Sequence, residues 1–588
     1  MDDKKNIILA VLLTAAILFG WPYVSNYFFP TANPPVTRIE DGKQVPVARP
    51  DADPAADSPA AVRDRALVLK ESPRVPIRTP RLTGSINLRG ARIDDIVLPL
   101  DVVDLVSWVN GENDSRSELA SWMQLLDRES RDGLSRLLVA PVLTRRSFGQ
   151  QLLRSWAARP LLEALGELIR LEGGEPVDSL QVLTTLEQLL SRRPEVTTLD
   201  LLQALPGKQL RLDLDALVQA SSRWRRQLKR HQGLLRDLGR DALVSTELTP
   251  ANRASLAQSS FRYKNNQIRL PHRAVPLQVE TWVPDDQRRD GMWLALMPGL
   301  GGNPEHFHWL ARRVASGGWP VALLEHPGSD AAAVQALLQG RQPFDGTKAL
   351  EQRLQDLAGV LQAQKDQRLP LKGERVVVAG HSLGALTALL SAGAEPREGM
   401  GVRCRQALKE LPLTNLSRLL QCELAEGKAL HWLGDSPEPA AVIGLNSLGS
   451  LVWANRQPSR LPIPLMLLGG TLDLITPPLD EQVGVFSALA SHPASRVVVV
   501  EGASHFSPIR VGEPTAAQQN DDLFQLGEEL VGMDPVSVQA VIGFEVIDFL
   551  EAVAKGASAR ESQHFRSGDL RWHRLNRQAA EDLSSRHQ

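Results

Sequence analysis

Gly380-His381-Ser382-Leu383-Gly384 sets a serine between two glycines, directly after the apolar run Val376 to Ala379 and at the start of "LGALTALLSAGA". A strand that turns sharply into a helix at such a segment presents the serine hydroxyl where it can attack a carbonyl carbon. Gly380 and Gly384 are needed there because the turn strains the serine backbone and brings strand and helix close together. The same residues also suit an ordinary glycine-rich turn, so the reading depends on what else the chain supplies.

A serine hydroxyl attacks poorly until a histidine takes its proton and a carboxylate holds that histidine in the right tautomer. In chain order the acid and then the histidine are expected downstream. "PLMLLGGTLDLITPP" reads as a strand followed by a loop carrying Asp473, and "RVVVVEGASHFSP" as a strand followed by a loop carrying His505. Either alone reads as a loop acid or a surface histidine. In order behind Ser382 they read as a Ser382, Asp473, His505 triad. Asp480 lies further into the next element, and His492, His564 and His573 lack a place just past a strand.

The negative oxygen formed by such an attack needs two backbone N–H donors. Leu383, after the serine, supplies one. "LALMPGLGGNPEHFHWL" puts Gly299-Leu300-Gly301-Gly302 at a strand end, which makes Leu300 the second donor, with Gly301 next. Gly299 and Gly301 let the backbone approach a substrate there. His306 and His308 read as helix-start or rim residues rather than bases.

These groups need a scaffold that lines up strand ends. Between Gln278 and about Glu501, short apolar runs such as "LQVETWV", "MWLALMPG", "PVALLEHPG", "AAVIGLNS" and "RVVVVEG" alternate with helix-like segments. That alternation predicts a doubly wound, mostly parallel α/β sheet with its functional groups at the carboxyl ends of the strands. Residues 261–556 form this domain, with 395–439 placed where a lid is inserted over the site.

Around it the chain divides further. Residues 1–29 hold the apolar run Ile7 to Val24, preceded by Lys4 and Lys5 and with Trp21, Tyr23, Tyr27, Phe28 and Phe29 at and beyond its far end. This predicts an uncleaved transmembrane helix with the lysines inside, rather than a signal peptide. Residues 30–74 are rich in Pro, Ala and Asp and predict a disordered tether. Residues 75–98 read as a fragment of β-strands, 100–260 as a helical domain, and 557–588 as a polar tail that frays.

The whole chain has 588 residues, 43% hydrophobic and 23% charged, with a formal charge of -2. A balance so near neutrality gives no general pull toward nucleic acid, and "RWRRQLKRHQ" from Arg223 reads as a solvated helix face. Cys404 and Cys422 are the only cysteines. They supply no structural metal site; they can close one local disulfide or stay as thiols, the compartment deciding which. No metal or other cofactor is expected.

"VAGHSLGALTALLSAGA", "LLEHPGSD", "TLDLITPP" and "EGASHFSP" together resemble the α/β-hydrolase superfamily over about Leu100 to Leu550, and within it a cyanobacterial group in which a helical domain precedes the hydrolase. The resemblance implies a dienelactone-hydrolase-like or lipase-like activity with Ser382, Asp473 and His505 on the triad positions. Pro298 departs from it, since many relatives carry histidine before the glycine. The start of the chain is similar to something else: "MDDKKNIILAVLLTAAILFGWPYVSNYFFP" and "SPRVPIRTPRLTGSINLRGARIDDIVL" resemble the first transmembrane helix and first periplasmic strands of YidC-type membrane protein insertases, with the likeness stopping near Leu98.

The expectation is a serine hydrolase of carboxylic esters, anchored in a bacterial inner membrane with most of the chain periplasmic, acting on a small-molecule or lipid ester. The alternatives are an insertase, for which later membrane helices are missing, and a non-catalytic lipid-binding protein. The abrupt junction at Leu98 reads as a chimera of two unrelated parts.

Overall fold

The computed structural model describes residues 260–338, 341–342, 344–409, 415–424, 438–454, 460–509, 533–558 and 561–587, and upstream of these only short stretches, the longest being 69–78, 92–101, 175–193, 195–206 and 229–240. The predicted membrane helix lies outside the described residues. Among those described, no helix is long and apolar enough to cross a membrane. The chain divides into two compact units, one formed by 1–147 with 161–225, the other by 148–160 with 226–588.

In the second unit eleven strands of the described residues form one sheet. They are β1 (Leu243–Ser245), β2 (Phe261–Ile268), β3 (Leu277–Pro284), β4 (Met292–Met297), β5 (Val321–Leu324), β6 (Arg375–His381), β7 (Ala441–Leu445), β8 (Leu465–Gly470), β9 (Arg496–Val500), β10 (Gln563–Ser567) and β11 (Leu570–Leu575). Their order across the sheet is β1-β10-β11-β9-β8-β7-β6-β4-β5-β3-β2. The run from β5 to β9 is parallel throughout, as the alternation of apolar runs and helices predicts.

Parallel strands joined by crossovers are covered on both faces, so their sequences run apolar without a polar side. Period two then splits each strand between two cores. Val376 and Val378 of β6 pack in one, with Leu465 and Leu467 of β8. Val377 and Ala379 pack in the other, with Met466 and Leu468. Helices α2 (Gly346–Lys365) and α3 (Leu383–Ser391) cover the first face through Leu350, Leu354, Leu386 and Leu389. The second face is covered by α1 (His308–Ser316) and by α6 (Pro535–Lys555), which follows α4 (Met400–Lys409) and α5 (Ser417–Glu423) in the chain.

The predicted fraying tail is instead part of this sheet. β11 pairs antiparallel with β9, β10 with β11, and α7 (Arg577–Arg586) follows. Trp572 is fully buried, and its Nε1 donates to Glu545 Oε1 at 3.0 Å. Arg574 Nε and Nη2 donate to the same buried carboxylate, each at 2.9 Å. Arg574 makes the segment look polar in sequence, but its charge is neutralised by an acid on α6.

The first unit also departs from expectation. Residues 100–260 are not purely helical among those described. Helices Ser179–Arg192 and Thr198–Ala204 are joined by the short strand Glu195–Thr197, which pairs with Pro141–Thr144. Thr37–Glu40 and Lys43–Pro46 pair as a hairpin inside the predicted tether. The strand fragment does not stop at Leu98: one strand runs Arg92–Asp101, pairs with Thr83–Asn87 over its first half, and carries Leu98 to Asp101 opposite Gln209–Leu212. The alternation Ile96, Leu98, Leu100 continues past the junction expected at Leu98.

Candidate active site

Ser382 stands where β6 turns into α3, with φ 52° and ψ -118°. A non-glycine residue in that region costs on the order of 1–3 kcal/mol and persists only where its surroundings hold it. Here Ser382 N–H donates to Leu445 O of β7 at 2.9 Å, and Ala385 N–H donates to Ser382 O at 2.9 Å. The two glycines are required by contact: a Cβ on Gly380 would lie 2.2 Å from Gly384 C, and one on Gly384 would lie 2.2 Å from Met297 O.

Asp473 and His505 lie on the same carboxyl edge, just past β8 and β9. His505 Nδ1 and Asp473 Oδ2 are 2.9 Å apart. An ionised carboxylate only accepts, so Nδ1 carries the proton and Nε2 is left as an acceptor. The carboxylate is itself saturated with donors. Oδ2 also accepts from Thr476 Oγ1 at 2.6 Å and Asn446 Nδ2 at 2.7 Å, while Oδ1 accepts the N–H groups of Ile475 at 2.9 Å and Thr476 at 2.7 Å. Burial alone would raise the Asp473 carboxyl, but the charge and hydrogen bond of His505 and the bonds from Thr476 outweigh it and hold the group below the usual carboxylate value.

No hydrogen bond among the described residues joins Ser382 Oγ to His505; such contacts often tighten only with substrate in place. His381 closes the ring of contacts from the other side. Its ring lies 4.8 Å from that of His505, and its Nε2 donates to the His505 carbonyl at 2.9 Å.

The loop after β4 runs against the same point, since a Cβ on Gly299 would lie 3.0 Å from Ser382 Cβ. Gly301 has φ 73°, a glycine conformation, and its N–H is engaged with Ser329 O at 2.8 Å. The N–H groups of Leu300 and Leu383 meet no acceptor among the described residues. Of the two sequence candidates, the geometry therefore leaves Leu300 available and Gly301 occupied.

Part of the expected lid is built onto the acid loop. Leu416 N–H and Ser417 N–H donate to Leu474 O at 3.2 Å and Ile475 O at 2.9 Å. Fully buried Glu481 accepts from Asn415 Nδ2 at 2.7 Å and Gln421 Nε2 at 3.0 Å. Cys404 of α4 and Cys422 of α5 are joined as a disulfide, their Cα atoms 5.4 Å apart. Asp480 faces away, paired with Arg230 at 2.8 Å and Arg418 at 3.3 Å. Among the described residues no cluster of three or more His, Cys, Asp or Glu is placed to hold a metal ion.

Sequence reasoning missed Asn446, Thr476 and His381 as supports of the acid and histidine. Thr476 was visible as the hydroxyl three residues after Asp473, a spacing that suits local bonding to an acid. Asn446 carried no such signal beyond ending a strand.

This sheet order, with helices on both faces, is that of the α/β-hydrolase fold. Residues 294–518 match the model of the Alpha/beta hydrolase family, and residues 91–213 that of an Alpha/beta hydrolase of unknown function (DUF1400), so this part of the chain is similar to the α/β-hydrolase superfamily in sequence as well as in fold. The N-terminal region is similar to membrane protein insertases YidC: 40% identical over 101 residues to that of Zymomonas mobilis, covering 17% of each chain, and 36% over 115 residues to that of Beijerinckia indica, covering 16% of this chain and 18% of that one. The YidC of Methylobacterium nodulans is 37% identical over 111 residues, 16% of this chain and 17% of that one. The chain thus spans less than a fifth of the length of these relatives.

Proposed function

We propose that the protein is a serine hydrolase of carboxylic esters, held at a membrane by its N-terminal segment. The observation that carries the reading is the His505–Asp473 hydrogen bond, on the sheet edge where Ser382 occupies a strained elbow. Ser382 Oγ attacks the ester carbonyl carbon while His505 Nε2 takes its proton, and the N–H groups of Leu300 and Leu383 hold the resulting oxyanion. Collapse expels the alcohol, which takes the proton from His505, and leaves an acyl group on Ser382. Water, deprotonated by His505, then attacks the acyl carbon; the bond to Ser382 Oγ breaks, Oγ takes the proton back from His505, and the acid is released. Asp473 holds the imidazole in the tautomer these steps need. The segment 395–439 shapes the acyl pocket.

The similarity to the start of insertases supports an inner-membrane anchor with Lys4 and Lys5 inside and the hydrolase in the periplasm. Insertase activity itself is supported only by that short similarity. Hydrolysis of p-nitrophenyl esters of increasing chain length by the full chain tests the reading. Turnover that peaks at one acyl length is expected; no turnover at any length would favour the non-catalytic lipid-binding alternative.

A further inference from the structure

Leu350, Leu354 and Leu357 turn one face of α2 into the core, and Arg353 falls on the same stripe, fully buried. A buried guanidinium must place its N–H groups on acceptors. Arg353 Nη1 donates to Pro298 O at 2.7 Å, Nη2 to Gly299 O at 2.8 Å, and Nε to Ser329 Oγ at 2.8 Å. The Ser329 carbonyl in turn accepts the Gly301 N–H at 2.8 Å. Arg353 therefore grips the loop after β4 just before Leu300, and Ser329, which it also bonds, holds the loop just after it.

The Gly299 carbonyl belongs to the same peptide as the Leu300 N–H. That peptide is planar and trans, so its N–H points opposite to its C=O. Fixing the oxygen toward Arg353 aims the N–H away from α2. The same glycine lies against Ser382, and the Leu300 N–H has no acceptor among the described residues. A positive charge bonded to the carbonyl end also polarises the peptide and makes its N–H a stronger donor.

We propose that Arg353 is a positioning residue of the oxyanion site, fixing and polarising the Gly299–Leu300 peptide so that the Leu300 N–H is aimed in advance at the oxygen that becomes negative. The proposal rests on the serine-hydrolase reading and deepens it. Arg353 touches no substrate; it acts through one peptide group. Lysine keeps the charge but lacks the planar fork that binds two carbonyls together.

The test compares wild type, Arg353→Met, Arg353→Lys and Ser382→Ala in the full chain. It measures kcat and KM on p-nitrophenyl butyrate, counts active sites by fluorophosphonate titration, and measures inhibition by a phenylboronic acid, whose tetrahedral adduct places an oxygen in the oxyanion site. Arg353→Met is expected to lower kcat per titrated site about 10²-fold, the loss typical of one missing oxyanion donor, with KM close to wild type and boronate affinity weakened in parallel. Arg353→Lys is expected to fall between. A purely structural role would lower the melting temperature and the number of titratable sites but leave kcat per site and boronate affinity unchanged, and that result overturns the proposal. Should the Met variant fail to fold, the same criterion applies to the Lys variant. Wild-type turnover that is absent, or that survives Ser382→Ala, overturns the hydrolase reading and this proposal with it. Turnover lost in Ser382→Ala but kept in both Arg353 variants overturns the role of Arg353 alone.

Discussion

His381, next to Ser382 in the chain, donates its Nε2–H to the backbone carbonyl of His505 at 2.9 Å. The elbow that carries the proposed nucleophile thus also holds the loop that carries the proposed base. Burial, with a further contribution from the nearby His505, takes His381 down to about 3, so it stays neutral and keeps this donor across the working pH range.

Stability should begin to fall as the pH drops below about 6.5. His381 at about 3 and His326 at about 4, both depressed chiefly by burial from 6.5, bind protons more readily unfolded than folded. Their stabilising effect is complete above pH 6.5 and is lost as pH falls toward 4 and then 3, each contributing a slope of about 1.4 kcal/mol per pH unit within its window. Melting temperature measured from pH 7.5 to 4.5 should drop steadily below 6.5, and less steeply in His381→Gln. A flat profile would show that neither histidine is buried neutral.

Asp473→Asn should cost about 10⁴ in kcat by allowing the wrong histidine tautomer. Asp480→Asn should leave kcat near wild type and lower the melting temperature, because Asp480 pairs with Arg230 and Arg418 instead. Equal kinetic losses in the two variants would mean the acid is wrongly assigned.

Reduction should loosen the link between α4 and α5. The Cys404–Cys422 bond closes a short loop, with a sequence separation of 18, worth roughly 3 kcal/mol. Intact-mass analysis after alkylation should find no free thiols in protein taken from membranes, and two after reductant. Two free thiols without reductant would contradict either the bond or the periplasmic placement.

The junction offers a separate comparison. Deleting residues 1–90 keeps the strand Arg92–Asp101 and its pairing with Gln209–Leu212, whereas deleting 1–101 removes both. The longer deletion should lower the melting temperature more, with ester turnover kept in each. Identical melting curves would mean that this strand contributes nothing to the first unit, as the chimera reading expects.

Much of this was written locally. Asp473 and His505 each follow a run of β-branched or apolar residues and a short loop, and Ser382 follows such a run at a sharp glycine turn, so period and turn chemistry locate them. The supports were harder to see because their partners lie far away in sequence. Arg574 looks solvated until Glu545 is brought beside it, and Arg353 looks like one charge on an ordinary helix until the carbonyls of Pro298 and Gly299 are placed against it. Arg353 did leave one trace: it occupies a position of the Leu350, Leu354, Leu357 stripe, where an unpaired charge would be costly.

The central claim is that Ser382 is the nucleophile, and covalent labelling reads it directly. A fluorophosphonate probe applied to the full chain, followed by peptide mass spectrometry, should give one adduct on Ser382. In Ser382→Ala the adduct should vanish and ester turnover fall by about 10³ to 10⁶ in kcat. An adduct on a different serine, or turnover undiminished in Ser382→Ala, would contradict the account.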